Sequence, residues 1–230
     1  MKDEQMISRC RSYIASQLRG PFSADARAVL PFVTISRQAG AGGITVGRML
    51  EAYLKEHDKK TECPWTLFDK DLVKKVMEEH RLPEEFAAYM PEAKVSEVKE
   101  IIDEMFGLHP PDWVLVRKTS ETILHLAAIG HVILVGRGSN LVTRKLPGGF
   151  HVRLVASYEK RVQHIQAYYG FNAKMSAEFV KREDAGRKDY LKEYFNQNID
   201  DPLLYDLVVN TDSISYGEAA RLIGHAALAA

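Results

Sequence analysis

The residues best suited to chemistry lie in the stretch 33–48, where the apolar run Val33–Ile35 enters a turn that contains Gly40, Gly42 and Gly43. Glycine lets the backbone bend sharply and approach a ligand closely. An amphipathic helix follows the turn, and the start of a helix directs unpaired N–H groups and the positive end of its dipole at such a ligand. This order of elements predicts a turn that binds phosphate.

The turn departs from the regular phosphate-binding pattern G-x-x-x-x-G-K-[ST]. Gly42 fits the second glycine, and Arg37 stands in place of the first. Gly43 replaces the lysine and Ile44 the hydroxyl residue, with Thr45 one position later. Positive charge has therefore moved within the motif. The alternative is a glycine-rich turn that only packs a helix closely on its sheet.

The composition predicts a single domain of 230 residues, or one domain with an insert, because 46% of the residues are hydrophobic. The 31 basic and 31 acidic side chains give no net charge, which argues against a dedicated nucleic-acid-binding protein. Cys10 and Cys63 are too few for a disulfide framework and favour a cytoplasmic setting. Charges near the N-terminus and the lack of a long apolar stretch predict neither a secretory leader nor a membrane span.

Apolar runs alternate with helical patterns along the chain. We predict strands at 31–36, 65–68, 131–135, 150–156 and 205–210. We predict helices at 4–18, 44–57, 113–128 and 157–168, a basic helical pair at 175–195, and a final helix opened by the capping box Ser215-x-x-Glu218. This alternation predicts an α/β fold with a doubly wound, five-stranded parallel sheet whose ligand-side turns gather at one edge.

Charged and polar residues follow several of these strands. Asp69 ends the second strand and could face a ligand, or could cap the helix expected after it. Arg137 follows a buried strand, where its fork suits a phosphate, although a structural ion pair is the alternative. In the basic helical pair, Arg182 and Arg187 could close over a ligand, or could pair with acids along an exposed helix.

Several short motifs occur in a fixed order. They are Ile35-Ser36-Arg37, Gly42-Gly43, Phe68-Asp69, Val135-Gly136-Arg137, Asp184-x-x-Arg187 and the run Tyr205–Thr211. In this order and spacing, over about residues 31–225, the chain resembles the cytidylate kinase-like family of P-loop nucleoside monophosphate kinases.

The resemblance implies a P-loop fold with a five-stranded parallel sheet, a helical insert that binds the nucleoside monophosphate and a basic lid. The kinase domain would span 31–230 after an N-terminal helical extension at 1–30, with the insert at about 70–112 and the lid at about 172–200. The implied reaction transfers the γ-phosphoryl group of ATP, bound with Mg²⁺, to a nucleoside monophosphate such as CMP or dCMP. The implied partners are small-molecule nucleotides.

The resemblance also implies roles for individual residues. The donor phosphates would contact Gln38, Ala39, Gly40, Ala41, Gly42, Gly43, Ile44 and Thr45. Thr45 would also contact Mg²⁺, and Asn210 and Thr211 would lie near the donor base. Asp69, Arg137 and Asp184 would bind the acceptor. Because Gly43 supplies no cation, Arg37, Arg182 and Arg187 are the predicted catalytic residues.

Two positions depart from the pattern of cytidylate kinases proper. Gly43 stands where they carry the P-loop lysine, and Gly138 stands where they carry an aspartate after the glycine-arginine pair. Glycine in the lysine position also belongs to the pattern of the kinase-like subgroup. The alternative function is a sensor that binds nucleotide in the same pocket without turnover.

Overall fold

The computed structural model describes residues 29–59, 64–69, 92–107 and 113–229, together with residues 8, 12 and 13. Five strands occur in these residues: β1 Phe32–Arg37, β2 Thr66–Phe68, β3 Val132–Val135, β4 Gly149–Val155 and β5 Leu207–Asn210. They form one parallel sheet in the order β2-β3-β1-β4-β5. The predicted parallel sheet of five strands is therefore confirmed.

Helices connect the strands. In the segments that the structure describes, these are α1 Gly43–His57, α2 Glu92–Phe106, α3 Val114–Ile129, α4 Ser139–Val142, α5 Tyr158–Tyr169, α6 Ala173–Phe195 and α7 Tyr216–Ala229, with a 3₁₀ turn at Pro202–Leu204. The capping box predicted before the last helix forms in part, since the Glu218 N–H donates to Ser215 Oγ at 3.2 Å.

The core lies on both faces of the sheet, because successive side chains of a strand point to opposite faces. In β3, Val132 and Leu134 join a buried cluster with residues of α2 and α3. The alternate residues Ile133 and Val135 join a second cluster with residues of α1 and α7. Burial on both faces explains why the inner strands are continuous apolar runs rather than alternating ones.

Strand register brings the turns that follow β1, β3 and β4 together. Ile35 of β1 pairs with Val135 of β3, and Ser36 pairs with Arg153 of β4. Since all the strands are parallel, the chain leaves each strand at the same edge of the sheet. Ligands of open α/β sheets bind at this edge.

The helical pair expected at 175–195 is wrong in one respect, because the segment is a single helix, α6, of 23 residues. Asn172 caps its start, where its side chain accepts a hydrogen bond from the Met175 N–H at 2.9 Å. Asn196 ends it in the left-handed conformation. Gly186 lies inside the helix with open space around it and costs only about 1 kcal/mol relative to alanine. The basic side chains of this segment therefore lie on one continuous helix.

The predicted segment boundaries fall largely outside the described residues. The extension at 1–30 is described at three positions below residue 29, where Tyr13 is buried and its ring lies 5.4 Å from that of Phe68. The Tyr13 hydroxyl donates to the Gly130 carbonyl at 2.5 Å. The helix expected after Asp69 and most of the insert at 70–112 also lie outside these residues, so both stay predictions.

Candidate active site

The glycine turn has the predicted connection between strand and helix. The Gln38 N–H donates to the Leu154 carbonyl at 3.0 Å, and the Ala41 N–H closes the turn on the Gln38 carbonyl at 3.2 Å. Gly42 precedes α1 with φ +82°, and a Cβ atom there would lie 2.5 Å from Tyr216 Cε1. Glycine is thus required at position 42 both for its backbone conformation and for the ring that covers it.

Arg37 extends from the end of β1 across the start of α1. A Cβ atom at Gly43 would lie 2.8 Å from Arg37 Cγ, and one at Gly136 would overlap the guanidinium itself. The missing side chain at Gly43 therefore leaves the space through which the arginine stem passes. Arg37 thus passes the start of α1 at Gly43, and its guanidinium lies beside Gly136, which follows β3.

The electrostatic surroundings of Arg37 favour an anion. Burial and the charges of Arg187 and Arg137 lower the pKa of Arg37 to about 10, against the opposing effect of Glu183 and Asp69. Among the described residues, no carboxylate forms an ion pair with its guanidinium within 4.0 Å. A partly buried cation beside two others is stabilised when an anionic ligand binds.

A cavity of about 370 Å³ lies beside this guanidinium. Four arginines line it: Arg37, Arg137, Arg182 and Arg187. Glu183 is the one acidic side chain among the described residues that line it, and Ser36, Asn140 and Tyr190 add hydrogen-bonding groups. Three of the predicted catalytic and acceptor-binding arginines thus meet Arg37 at one cavity, although they come from two different segments of the chain.

Arg137 reaches this cavity from a strained turn. Arg137 has a φ of +56°, and its two neighbours in the chain, Gly136 and Gly138, have φ of +85° and +66°. A residue with a side chain held in this conformation costs about 1–3 kcal/mol, and such strain concentrates at functional sites. The sequence predicted the position of Arg137 at the end of β3, and the backbone strain agrees with a binding role.

For the acceptor-binding role that the family resemblance implies, Arg137→Lys should raise the acceptor KM about tenfold and leave the ATP dissociation constant nearly unchanged, because lysine keeps the charge and loses the bidentate fork. Steady-state kinetics with the acceptor varied, and calorimetric titration with ATP, check this expectation. Equal losses for both nucleotides would point to a structural ion pair instead.

A second cavity of about 210 Å³ adjoins the first and shares Arg37, Arg187 and Ile199 with it. Arg153 of β4 lines it and is only 4% exposed. Arg153 donates to Ser36 Oγ and to Asp200 Oδ1, both at 2.9 Å. Our sequence reasoning missed this residue, although an arginine inside an apolar parallel strand is rare enough to serve as a signal.

Asp184 lies at the glycine turn, where its Oδ1 accepts a hydrogen bond from the Ala39 N–H at 2.7 Å. Its other oxygen pairs with Arg161 of α5, which also donates to the Ala39 carbonyl at 3.2 Å. The predicted acceptor residue thus lines the smaller cavity and contacts the predicted donor side. Arg161 was not predicted, because one arginine on an amphipathic helix carries no distinguishing pattern.

The two arginines of α6 differ in their surroundings. Arg187 is half-buried and pairs with Glu183 at 3.1 Å and with Asp184 at 3.4 Å. Burial lowers the pKa of Arg187 in spite of these carboxylates. Arg182 is exposed and lies over the Phe179 ring, 5.5 Å from its centroid. Pairing along the helix, the alternative raised for both arginines, occurs for Arg187.

The remaining predicted residues surround the turn. Thr211 Oγ1 donates to the Ala41 carbonyl at 3.3 Å, and exposed Asn210 accepts from the Asp212 N–H at 3.0 Å. Ile44 and Thr45 are half-buried in the first turn of α1. Asp69 follows β2 and acts electrostatically on Arg37. In the described part of the chain, no three histidine, cysteine or acidic side chains cluster as a metal site.

The strand order, with the glycine turn after the central strand, places the chain among proteins of the P-loop kinase fold. A family model described as the cytidylate kinase-like family matches residues 32–213. The chain therefore belongs to this family, as the order of its short motifs predicted.

Comparison with individual proteins adds detail on the fold. An uncharacterized protein from Eubacterium ventriosum has a crystal structure similar to this one, with a TM-score of 0.58 and 14% identity over 87% of this chain and 99% of that chain. Shikimate kinase from Bacteroides thetaiotaomicron gives a TM-score of 0.46 at 12% identity, over 85% of this chain and 97% of its own.

One curated protein matches over part of its length. Uronate isomerase from Corynebacterium glutamicum is 29% identical over 109 residues, which are 47% of this chain and 21% of that protein. The chain thus matches about a fifth of this relative. Separately, no helix in the described segments is both long enough and apolar enough to cross a membrane.

Proposed function

We propose that the protein transfers the γ-phosphoryl group of ATP to a nucleoside monophosphate, with CMP or dCMP as the expected acceptor. The observation that carries this proposal is the convergence of Arg37, Arg137, Arg182 and Arg187 on one cavity beside the glycine turn. Phosphoryl transfer depends on positioning and on cations that stabilise charge at the transferred group. Four guanidinium groups supply both, and membership of a kinase-like family supports the same reaction class.

In this proposal the two sides of the site bind different substrates. The turn at residues 38–45 holds the donor phosphates, while Arg137 holds the acceptor phosphate. Arg37 lies between them, because its stem passes over Gly43 and its guanidinium rests on Gly136 at the end of β3. Arg182 and Arg187 add positive charge from α6. Thr211 and Asn210, at the end of β5, would face the donor base.

Magnesium fits this arrangement in a limited way. Mg²⁺ usually keeps several waters and binds through nucleotide phosphates with one or two protein ligands. The Thr45 hydroxyl, in the first turn of α1, would be such a ligand. When bound, the ion would neutralise charge on the donor phosphates.

The acceptor base is the least constrained part of the proposal. In place of the aspartate of cytidylate kinases stands Gly138, where a Cβ atom would lie 2.9 Å from Phe195 Cε2. An aromatic ring therefore occupies the space beside this position. Burial raises the pKa of Tyr190, which lies on α6 like Phe195, to about 12. Its hydroxyl therefore stays protonated and can donate a hydrogen bond to the acceptor base.

The test is to incubate the protein with ATP, magnesium and each of a panel of pyrimidine and purine monophosphates, and to measure ADP. We expect ADP production that depends on one or a few acceptors and exceeds that of a reaction without acceptor. No acceptor-dependent ADP from a protein that binds ATP in a calorimetric titration would support the second candidate, a nucleotide sensor. Gly43 in the lysine position is the observation that favours that candidate. The cytoplasmic setting stays a prediction.

A further inference from the structure

The carboxylate of Asp184 occupies the position of an anion at the beginning of the glycine turn. Its Oδ1 accepts a hydrogen bond from the Ala39 N–H at 2.7 Å, and its Oδ2 pairs with Arg161 Nη1. The Asp184 side chain is 30% exposed, whereas that of Arg161 is 9% exposed. The anion is therefore the accessible member of this pair, and the cation beneath it is fixed in the fold.

Backbone contacts hold Arg161 in place independently of Asp184. Its Nε donates to the Ala156 carbonyl at 3.1 Å, and its Nη1 donates to the Ala39 carbonyl at 3.2 Å. The Arg161 guanidinium also lies over the Tyr158 ring, with Cζ 5.8 Å from the ring centroid. A guanidinium and a backbone N–H thus point at one small volume, and these two donors are well suited to phosphate oxygens.

We propose that the Ala39 N–H and Arg161 form a phosphate subsite, which the Asp184 carboxylate fills until a phosphate of the donor nucleotide displaces it. The identity of that phosphate as part of ATP rests on the proposed function. A phosphate group carries more negative charge than a carboxylate and offers more acceptor oxygens. It can therefore compete for the same two donors.

Displacement of Asp184 would also act on the larger cavity. Arg187 pairs with Asp184 at 3.4 Å and with Glu183 at 3.1 Å, and it lines both cavities. When Asp184 leaves the turn, repelled by the bound phosphate, the contacts that fix this part of α6 change together. Donor binding is thereby coupled to Arg187, which lines the larger cavity, so the site is completed only after the donor has bound.

Substitutions of Asp184 and Arg161 test the subsite, because they should change the affinity for phosphate in opposite directions. Calorimetric titration with tripolyphosphate, and separately with MgATP, should show about tenfold tighter binding for Asp184→Asn, because the competing charge is lost. Arg161→Gln should bind both probes about tenfold more weakly, because the guanidinium that binds the phosphate is lost. Asp189→Asn, the same change at an exposed position on the same helix, should bind like the parent.

An ion pair that only supports the fold gives a different result. It predicts weaker binding and a lower melting temperature for both variants, and that outcome, or no change in either, would overturn the subsite. If Arg161→Gln fails to fold, Arg161→Lys replaces it. Weaker binding is again expected, because a lysine ammonium cannot contact both the backbone carbonyls and the phosphate as the guanidinium does. Tripolyphosphate binding involves no acceptor and no turnover, so opposite effects without kinase activity would retain the subsite and reject the proposed function.

Discussion

Replacing Arg37 by methionine is expected to lower kcat by about 10³-fold and, at the same time, to raise the melting temperature. The loss of rate follows because, in the proposed reaction, Arg37 supplies a cation that the missing lysine does not. The gain in stability follows because burial and two neighbouring arginines lower the pKa of this side chain to about 10. Methionine keeps much of the stem that packs over Gly43.

The sign of the stability effect follows from comparing the pKa of Arg37 in the folded chain with its pKa in the unfolded chain. The pKa of Arg37 is lower in the folded chain than in the unfolded chain, so the charged form destabilises the fold at every pH below about 10. Relief on the order of 2 kcal/mol would raise the melting temperature by about 5 °C in a domain of this size.

Calorimetric scans at pH 7.5 and steady-state kinetics measure both effects of Arg37→Met. The control is Arg48→Met, which removes an exposed arginine from α1 and should change neither quantity by much. A variant that loses stability together with activity would show that Arg37 has a structural role. A variant that keeps its kcat would show that another cation serves the transferred group.

Restoring the regular lysine by Gly43→Lys is expected to lower kcat by about 10²-fold or more, rather than to raise it. A Cβ atom at position 43 would lie 2.8 Å from Arg37 Cγ, so the new side chain displaces the arginine stem. It also adds a charge beside Arg137 and Arg187, whose charges already lower the Arg37 pKa.

The double variant Arg37→Gly with Gly43→Lys recreates both positions of the regular pattern. It removes the overlap, and we expect it to recover about tenfold of the rate lost in Gly43→Lys. Gly43→Ala is the matched control for size alone, since it crowds the arginine without adding charge. Faster turnover by Gly43→Lys than by the parent would contradict the exchange of positions that we infer.

The sequence predicted the frame of the site well for physical reasons that are local. Val33 and Ile35 form part of an apolar run that only a buried strand accommodates, and Gly42 marks a sharp turn before a helix. Arg137 follows such a strand, so its place at the sheet edge followed from topology. The single long helix α6 was missed because the sequence shows a glycine at 186 but not the space around it.

The missing parts of the site depend on contacts between distant segments. Arg153 is held by Ser36, 117 residues earlier, and Arg161 reaches Ala39 across 122 residues. No local pattern encodes these pairings, because the two partners lie on different elements and are more than 100 residues apart in the chain. The placement of Asp184 at the turn was unpredictable for the same reason, since the sequence shows its helix but not which neighbour the helix approaches.

The ring of Tyr216 over Gly42 has a consequence for synthesis of the protein on the ribosome. The turn at residues 38–43 is made before the ring that covers it and the Thr211 hydroxyl that donates to the Ala41 carbonyl, which follow about 170 residues later. Chains are made from the N-terminus, and contacts of such separation form late. A growing chain therefore cannot cover the glycine turn until residue 216 has been added. In the proposed function, nucleotide can therefore stabilise the domain only after Tyr216 has been added.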